Sequence, residues 1–268
     1  SLDRRQRQMC IRDRSNGQKL YASYAKAHRE PNRTDYENGN PKPEKLDDFE
    51  LGWRIKTAKM QAQANLYWME YKDQLVLTGA IDEVGAPIRQ NVGKSRRVGL
   101  ELEFKMKLLP NWVWQPNLAL SSNQNLDFIF ERDGELVDLG KTQLAYSPNL
   151  ISGSSLTYAA STNFQITLLS KFVGKQYMGN IDSENSILPS YFINDLNISY
   201  VWRPNKLLKE IQCSFLINNL LNKQYESNGY FYTYNDTWSV PGKITTIEGA
   251  GFYPQAGINF LTGLMIKF

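Results

Sequence analysis

The residue types that most often carry catalysis are scarce in this chain. Histidine occurs once, at His28, beside the segment "REPNRTDYENGNPKPE". An imidazole-based mechanism would have to be built around that segment, because no second histidine is available as a partner. The two cysteines, Cys10 and Cys213, form no Cys-X-X-Cys motif and no disulfide framework. We therefore expect no catalytic residues, and we interpret His28 as a solvated residue at the end of a strand.

Neither a phosphate loop nor a metal site is indicated. The stretch "VGKS" at 92 to 95 has no glycine five positions before its own glycine, and a strand pattern follows it in place of a helix. Asp47 and Asp48 are adjacent, so their side chains diverge on a strand. Glu101 and Glu103 share one face but have no histidine or cysteine partner. We expect the chain to hold no metal and to need no cofactor.

One loop carries a pattern suited to ligand binding. Residues 225 to 254 are rich in tyrosine and also contain amide and carboxylate groups. Aromatic and polar side chains that converge on a concave rim can hold an organic ligand such as a metal chelate. The alternative is that these aromatics pack the loop against its neighbours and the lipid interface. The predicted ligand-binding residues are Tyr230, Tyr232, Tyr234, Asn235, Asp236 and Trp238.

The elements that must position these residues are strands. The segment "VGLELEFKM" at 98 to 106 alternates apolar and polar residues, as do "FELGWRI" at 49 to 55 and "QAQANLYW" at 61 to 68. Apolar residues with a period of two indicate strands with one apolar and one polar face. The pattern recurs from residue 15 onward, and no helix of ordinary length competes with it. The sequence therefore predicts an all-β chain of about ten strands.

The connections between these strands alternate strictly between long and short. Long connections at 29 to 45 and 73 to 90 are separated by a short one near 58 to 60, and the alternation continues along the chain. Successive connections of an up-and-down barrel lie at opposite ends, so one rim carries every long loop. This asymmetry is typical of bacterial outer-membrane barrels, whereas a Greek-key sandwich gives no reason for it. We predict a transmembrane antiparallel up-and-down β-barrel whose apolar side chains face lipid and whose polar ones face the lumen.

The aromatic residues fit this interpretation. They make up 12% of the chain, and no apolar run reaches the length of a membrane helix. Membrane barrels place aromatic side chains near strand ends, at the two interfaces. The predicted interfacial residues are Trp53, Trp68, Trp112, Phe172, Tyr191 and Trp202.

The first fourteen residues differ in kind from the rest. They contain five arginines and two aspartates, which is +3 of the formal net charge of +4, and they show no alternation. We interpret residues 1 to 14 as non-native, because they resemble translated sequencing-adapter read-through, or as a basic disordered arm. Residues 15 to 268 form the predicted barrel region. Without the first segment the chain is nearly neutral, so we expect no nucleic-acid partner.

Five segments, taken in order, resemble the last strands of TonB-dependent outer-membrane receptors. They are "PEKLDDFELGWR" (43 to 54), "NVGKSRRVGLELEF" (91 to 104), "LPSYFINDLNISY" (188 to 200), "INNLLNKQYES" (217 to 227) and "YPQAGINFLTGLMIKF" (253 to 268). The resemblance covers roughly residues 18 to 268 and implies about ten C-terminal strands of a 22-stranded barrel that surrounds an N-terminal plug. It also implies that the plug and the first strands are absent from this chain.

The resemblance carries further expectations about location and partners. It implies the outer membrane of a Gram-negative bacterium, contact with outer-membrane lipid, and coupling to the TonB energy transducer through the missing plug. Within the family, the barrel-assembly machinery recognises a final strand that ends in an aromatic residue. The positions that match this signal are Phe260, Leu264, Ile266 and Phe268.

The function implied by the resemblance is energy-coupled uptake of a scarce nutrient such as a ferric siderophore or cobalamin, and not an enzymatic activity. Two alternatives remain open from the sequence. One is a complete ten-stranded outer-membrane barrel enzyme, similar to the omptin proteases. The other is a soluble all-β binding module, which would turn the same apolar faces into a dry core.

Overall fold

A computed structural model describes residues 6–14, 17–37, 39–81, 87–204 and 208–268. Within these ranges the secondary structure is almost entirely antiparallel strand, with one short α-helix, α1 (Arg33–Glu37), and one 3-10 turn (Glu184–Ser186). No helix in the described ranges is both long enough and apolar enough to cross a membrane.

Sixteen strands are formed by the described residues. They are β1 (Gln6–Arg14), β2 (Gln18–Arg29), β3 (Glu44–Lys56), β4 (Met60–Ile81), β5 (Pro87–Leu109), β6 (Trp112–Arg132), β7 (Glu135–Gln143), β8 (Leu150–Ala159), β9 (Phe164–Val173), β10 (Gln176–Tyr177), β11 (Ile187–Leu188), β12 (Tyr191–Trp202), β13 (Glu210–Asn218), β14 (Glu226–Asp236), β15 (Thr245–Pro254) and β16 (Asn259–Lys267).

Most of these strands belong to one antiparallel sheet. Its order is β1-β2-β3-β4-β5-β6-β8-β9-β12-β13-β16, with β7 paired to β6, while β10-β11 and β14-β15 form separate hairpins. Ten strands of this order lie after residue 15, so the predicted all-β, up-and-down arrangement of ten strands is confirmed. The edge strands β1 and β16 each pair on one side in the described structure, so the sheet stays open.

Strand β1 lies within the segment interpreted as non-native or disordered. Its backbone pairs with β2, with Cys10 opposite Ala22. This pairing does not decide whether residues 1 to 14 are native, so the proposed boundary between 14 and 15 remains a prediction. The first five residues of that segment lie outside the described ranges.

Connection length alternates along most of the sheet, with the five-residue connection between β4 and β5 as the exception. Three- and two-residue connections follow β3 and β5, at 57–59 and 110–111. The long connections contain α1, β7, β10-β11 and the hairpin β14-β15. One predicted long loop, 73 to 90, is wrong in extent, because β4 continues to Ile81 and β5 begins at Pro87. The apolar run at 75 to 77 continues the strand beyond the predicted end.

The sheet has one apolar and one polar face. Leu51, Leu66, Leu100 and Leu120 stand opposite one another across β3 to β6. Leu51 and Leu66 are 54% and 51% exposed, and Leu102 and Phe104 are only partly buried. The apolar side chains therefore do not collapse into a dry centre under solvated carboxylates. This exposed apolar face is the one predicted to meet lipid.

The buried core lies at the end of the sheet that carries the long connections. Its residues come from the ends of β4, β5 and β6 on the side of the long connections, and from two of those connections. Phe231 of β14 packs against them. The core consists of Val76, Val92, Phe128, Phe130, Leu144 and Ile181. The long connections thus form a packed cap and not a set of separate loops.

A break in strand alternation turns part of β4 towards this cap. Asp73 has a positive φ of 56°, and the Ser95 hydroxyl donates a hydrogen bond to Oε1 of Gln74. Because Ser95 pairs directly with Tyr71, an unbroken ladder would put Gln74 on the other face. The break therefore moves even-numbered residues of β4, including Val76, to the polar face beneath the cap.

Candidate functional site

The hairpin β14-β15 carries a continuous row of aromatic rings. Tyr230 stacks on Tyr232 at 6.2 Å between ring centroids, and Tyr232 stacks on Tyr234 at 6.4 Å. Trp238 extends the row at 5.9 Å from Tyr234 with the rings nearly parallel. Tyr253 of β15 packs against Tyr230 at 5.9 Å. We call these five residues the aromatic row, and four of them belong to the predicted ligand-binding set.

Two glycines of β15 explain why the rings lie flat. Gly249 stands opposite Tyr232 and Gly251 stands opposite Tyr230. A Cβ atom added to either glycine would stand 2.4 Å from the facing tyrosine ring. The absence of side chains at these two positions therefore lets each ring cover the neighbouring strand. One flat aromatic face results, and most of its rings are exposed.

The two polar residues of the predicted set make hydrogen bonds within the cap. Asn235 alternates with the tyrosines and points to the other face of the hairpin, where its Nδ2 donates to Oε1 of Glu131 at 3.0 Å. Asp236 accepts hydrogen bonds from the backbone N–H groups of Trp238 and Ser239. Hydrogen bonds from Ser239 hold the pKa of the Asp236 carboxyl below its usual range. Both residues shape the hairpin and its turn, and the ligand-binding role assigned to them stays a prediction.

A cavity of about 540 Å³ lies beside the hairpin, between β14 and the far ends of β4, β5 and β6. Tyr234 and Asn235 of β14 line one side of the cavity. Three charged residues of β5 and β6 also line it, namely Arg89, Asp127 and Glu131. Nε of Arg89 is 2.9 Å from Oδ1 of the buried Asp35, so α1 is tied to this wall. No motif in the sequence indicates Arg89, Asp127 or Glu131, because the extended strands bring them together from distant positions.

Glu248 of β15 ties three connections together. Its Oε1 is 3.0 Å from Nη2 of Arg132, at the β6-β7 turn. Its Oε2 accepts hydrogen bonds from the Ser183 hydroxyl and from Nδ2 of Asn185, both in the connection between β9 and β12. The cap is therefore fastened across connections that are far apart in the sequence.

A second set of contacts fixes the hairpin to the β6-β7 turn. The backbone N–H of Asp133 donates to the Thr246 hydroxyl at 2.7 Å, and the N–H of Thr246 donates back to Oδ1 of Asp133 at 2.7 Å. Deeper in the cap, the Tyr146 hydroxyl donates to the carbonyl oxygen of Gly229 at 2.8 Å. Burial raises the pKa of the Tyr146 phenol. These bonds hold the aromatic row at a fixed position over the sheet.

The predicted assembly residues lie together on the apolar face of the last strand, β16. Phe260, Leu264 and Ile266 are exposed and stand opposite β13, and Phe268 follows at 78% exposed. Phe260 also stacks on Phe215 at 5.9 Å between centroids. The geometry gives these residues a shared face, and their recognition by the assembly machinery stays a prediction.

The prediction that Tyr191 lies at the lipid interface is wrong. Tyr191 is only 8% exposed, and its ring packs on Tyr225 at 4.6 Å. It occupies the polar face, because its strand neighbour Phe192 takes the apolar face opposite Phe172. The alternation of β12 thus turns Tyr191 inward. Trp68 and Trp202 remain exposed on the apolar face.

The residues considered for catalysis are isolated. His28 is exposed at the end of β2, opposite Lys45, and Cys213 is exposed on the apolar face opposite Leu264. Over the described ranges, no group of three or more His, Cys, Asp or Glu residues is placed to hold a metal ion.

Comparisons with known proteins agree with this architecture. Residues 13–220 match the family described as TonB dependent receptor-like, beta-barrel. Over 190 residues the chain is 27% identical to the pesticin receptor of Yersinia enterocolitica, and over 194 residues it is 26% identical to that of Yersinia pestis. Each match covers 70% of this chain and 26% of the relative. The chain therefore spans about a quarter of the length of these curated relatives.

Solved structures share the same fold. The copper transporter OprC superposes with a TM-score of 0.70 and 20% identity, over 97% of this chain and 39% of its own. The ferric yersiniabactin uptake receptor FyuA from Yersinia pestis superposes with a TM-score of 0.61 and 19% identity, over 97% of this chain and 37% of its own. Since the family match extends over most of the strands described above, this chain belongs to the TonB-dependent receptor family, as part of its β-barrel.

Proposed function

We propose that this chain is the C-terminal part of an outer-membrane importer of a Gram-negative bacterium. The observation that supports this most directly is the two-faced sheet, whose apolar residues stay exposed while its long connections pack into one cap at one end. Lipid is the solvent that makes an exposed apolar face favourable, and a cap at one rim suits ligand capture from outside the cell. In this proposal the chain supplies barrel wall, lumen surface and outer loops.

The proposed cargo is a scarce nutrient carried as an organic complex, such as a ferric siderophore or cobalamin. The aromatic row supports this proposal, because a flat array of exposed rings can bind a planar or conjugated ligand by stacking. Among structures with the same fold are proteins described as a ferric yersiniabactin uptake receptor and a ferric citrate transporter. No enzymatic step is included in the proposal.

The proposed partners follow from the family. Energy would come from the TonB transducer acting through the N-terminal plug typical of the family, and barrel-assembly machinery would recognise the strand that ends at Phe268. Outer-membrane lipid would cover the apolar face formed by residues such as Leu66 and Leu100.

Uptake by the whole receptor that carries this barrel segment tests the proposal. The receptor is expressed in a Gram-negative host that lacks its own iron and cobalamin receptors. Labelled ferric catecholate, ferric hydroxamate, ferric citrate and cobalamin are then offered one at a time. We expect saturable uptake of one class of compound, which stops when the host lacks TonB or when the proton gradient is collapsed.

Two other results would favour the alternatives. Cleavage of basic peptides by the purified protein, abolished in His28→Ala, would point to an omptin-like enzyme. Extraction of the folded protein from cells without detergent would point to a soluble binding module. If a correctly inserted receptor imports none of the offered compounds, the proposed class of cargo is contradicted.

A further inference from the structure

The apolar face of β2 to β5 changes character in steps towards the cap. The strand registers align residues of the four strands into rows that run across the sheet. From the centre of the sheet towards the cap, the rows are Ala22-Leu51-Leu66-Leu100, Tyr24-Phe49-Trp68-Val98, Lys26-Asp47-Glu70-Arg96 and His28-Lys45-Lys72-Lys94. The face is thus aliphatic, then aromatic, then of mixed charge, then basic.

The row of mixed charge is neutralised internally. Nζ of Lys26 is 3.6 Å from Oδ1 of Asp47. Nε of Arg96 is 2.6 Å from Oε1 of Glu70, and the same guanidinium lies 4.8 Å from the centroid of the Trp68 ring. This row therefore has little charge left for an external partner.

The last row, which we call the basic row, is different. His28, Lys45, Lys72 and Lys94 are all exposed, and none of the ion pairs found among the described residues includes them. Side chains directly opposite on neighbouring strands start roughly 5 Å apart, and like charges at that spacing destabilise the pair. Asp47 of the preceding row also attracts Lys72, but its carboxylate is already paired with Lys26. The three adjacent lysines therefore keep an excess of positive charge, which favours binding of an external anion.

The order of the rows indicates what that anion is. Hydrocarbon, an aromatic interface and charged headgroups follow one another in the same order from the middle of a bilayer outward. We propose that the basic row binds phosphate groups of anionic lipid headgroups in the leaflet on the cap side of the membrane. This inference rests on the outer-membrane placement proposed above, and it adds a lipid site that is separate from the aromatic row.

The site occupies one sector of the barrel wall. Farther along the sheet, the ladders of β8, β9 and β12 stop at rows level with Leu100 and Leu102, where the apolar face carries Leu150, Phe172 and Phe192. These strands therefore do not extend the basic row. A phosphorylated lipid would therefore be held beside β2 to β5 and not evenly around the barrel.

Removal of the three lysines tests the site. The variant combines Lys45→Gln, Lys72→Gln and Lys94→Gln, and its control combines Lys59→Gln, Lys105→Gln and Lys107→Gln, which removes the same charge near the opposite end of the sheet. Whole receptor in detergent is titrated with bisphosphorylated lipid A, with dephosphorylated lipid A and with inorganic phosphate. Bound lipid is counted by native mass spectrometry.

We expect tight binding of the phosphorylated lipid to the unchanged receptor and to the control, and little binding of the other two probes. Each lysine close to an anionic lipid surface contributes roughly a fivefold gain in affinity, so the triple variant should bind on the order of 100-fold more weakly. The single variant Lys72→Gln, in the middle of the row, gives a smaller loss in the same direction if the triple variant fails to fold.

Equal affinity of the triple variant and the unchanged receptor for phosphorylated lipid would overturn the inference. So would equal binding of the dephosphorylated lipid, because the apolar face alone would then explain it. Recovery of the receptor outside the membrane would instead contradict the proposed function. The two failures are thus distinguished by where the protein is found.

Discussion

At the scale of single residues, glycine and tyrosine act as pairs in this sheet. Tyr67 stands opposite Gly99 and Tyr21 opposite Gly52. The Tyr21 hydroxyl reaches on to Oδ1 of Asn65 at 3.1 Å. A ring that lies over a glycine covers the backbone of the next strand, which stabilises a single layer where no second layer packs on it.

Gly99→Ala should destabilise the sheet by about 1–3 kcal/mol. A Cβ atom at this position would stand 2.4 Å from the Tyr67 hydroxyl oxygen and 2.7 Å from the carbonyl oxygen of Leu120, and that backbone atom cannot move aside easily. Gly93→Ala on the same strand is the control, because its Cβ would meet Asp127 at 3.5 Å, an ordinary contact. Urea unfolding of the two variants in lipid checks the prediction, and equal midpoints would contradict it.

Tyr232→Ala should weaken binding of the imported compound by about tenfold or more, because it interrupts the aromatic row at its centre. Tyr232→Phe keeps the ring and should bind nearly normally. Tyr36→Ala removes an exposed tyrosine from another connection and serves as the control. The measurement is equilibrium binding of whichever ferric chelate or cobalamin the whole receptor imports. Unchanged binding in Tyr232→Ala would show that the aromatic row does not bind the imported compound.

At the scale of elements, the strands decide which residues meet which solvent. The period of two assigns faces correctly wherever the ladder is unbroken, as for Leu66 and Glu101. In the far half of β4, where the sequence predicts a long connection, the strand continues and the break at Asp73 exchanges its faces. A conformational break of this kind has no strong sequence signal, since aspartate adopts a positive φ at only a few of the positions where it occurs.

Leu66→Arg should cost roughly 2–4 kcal/mol although Leu66 is half exposed, because the charge would face hydrocarbon. The same change in water would be nearly neutral. Glu101→Arg places a cation on the polar face of the neighbouring strand and should fold almost normally. Unfolding of both variants in lipid bilayers gives the comparison. A greater loss in Glu101→Arg would mean that the two faces have been assigned the wrong way round.

At the scale of the whole molecule, the cap is the unit that joins distant parts of the chain. Its core takes residues from 76 to 181, and Phe231 covers that core. The bonds of Glu248 add the hairpin β14-β15 to the same unit. The hairpin that carries the aromatic row is therefore bonded to several connections at once.

Glu248→Ala should loosen the cap without unfolding the sheet. Loss of the Arg132 pair and of the hydrogen bonds from Ser183 and Asn185 removes about 1–3 kcal/mol from the local opening free energy. Hydrogen exchange should accelerate at 130–136 and 182–186 and stay unchanged in β8 and β9. Glu226→Ala, a carboxylate of the same hairpin, is the control. Uniform exchange in both variants would show that the connections move independently.

The sequence by itself determined the ten strands of the main sheet after residue 15, the two faces of each regular strand and most of the long and short connections. These properties depend on local periodicity and on turn spacing, so they can be read along the chain. Four of the five residues of the aromatic row were also predicted from the cluster of aromatics in one segment, whereas Tyr253 was added by the structure.

Only the tertiary structure decided how the connections pack. It turned Asn235 away from the tyrosines, buried Tyr191 against Tyr225, and joined Glu248 to Arg132 and Ser183. The register of neighbouring strands likewise aligned the lysines of the basic row, which are spread over three strands. Such contacts depend on strand pairing and on breaks in the ladder, and these are set by packing between distant segments that no local pattern records.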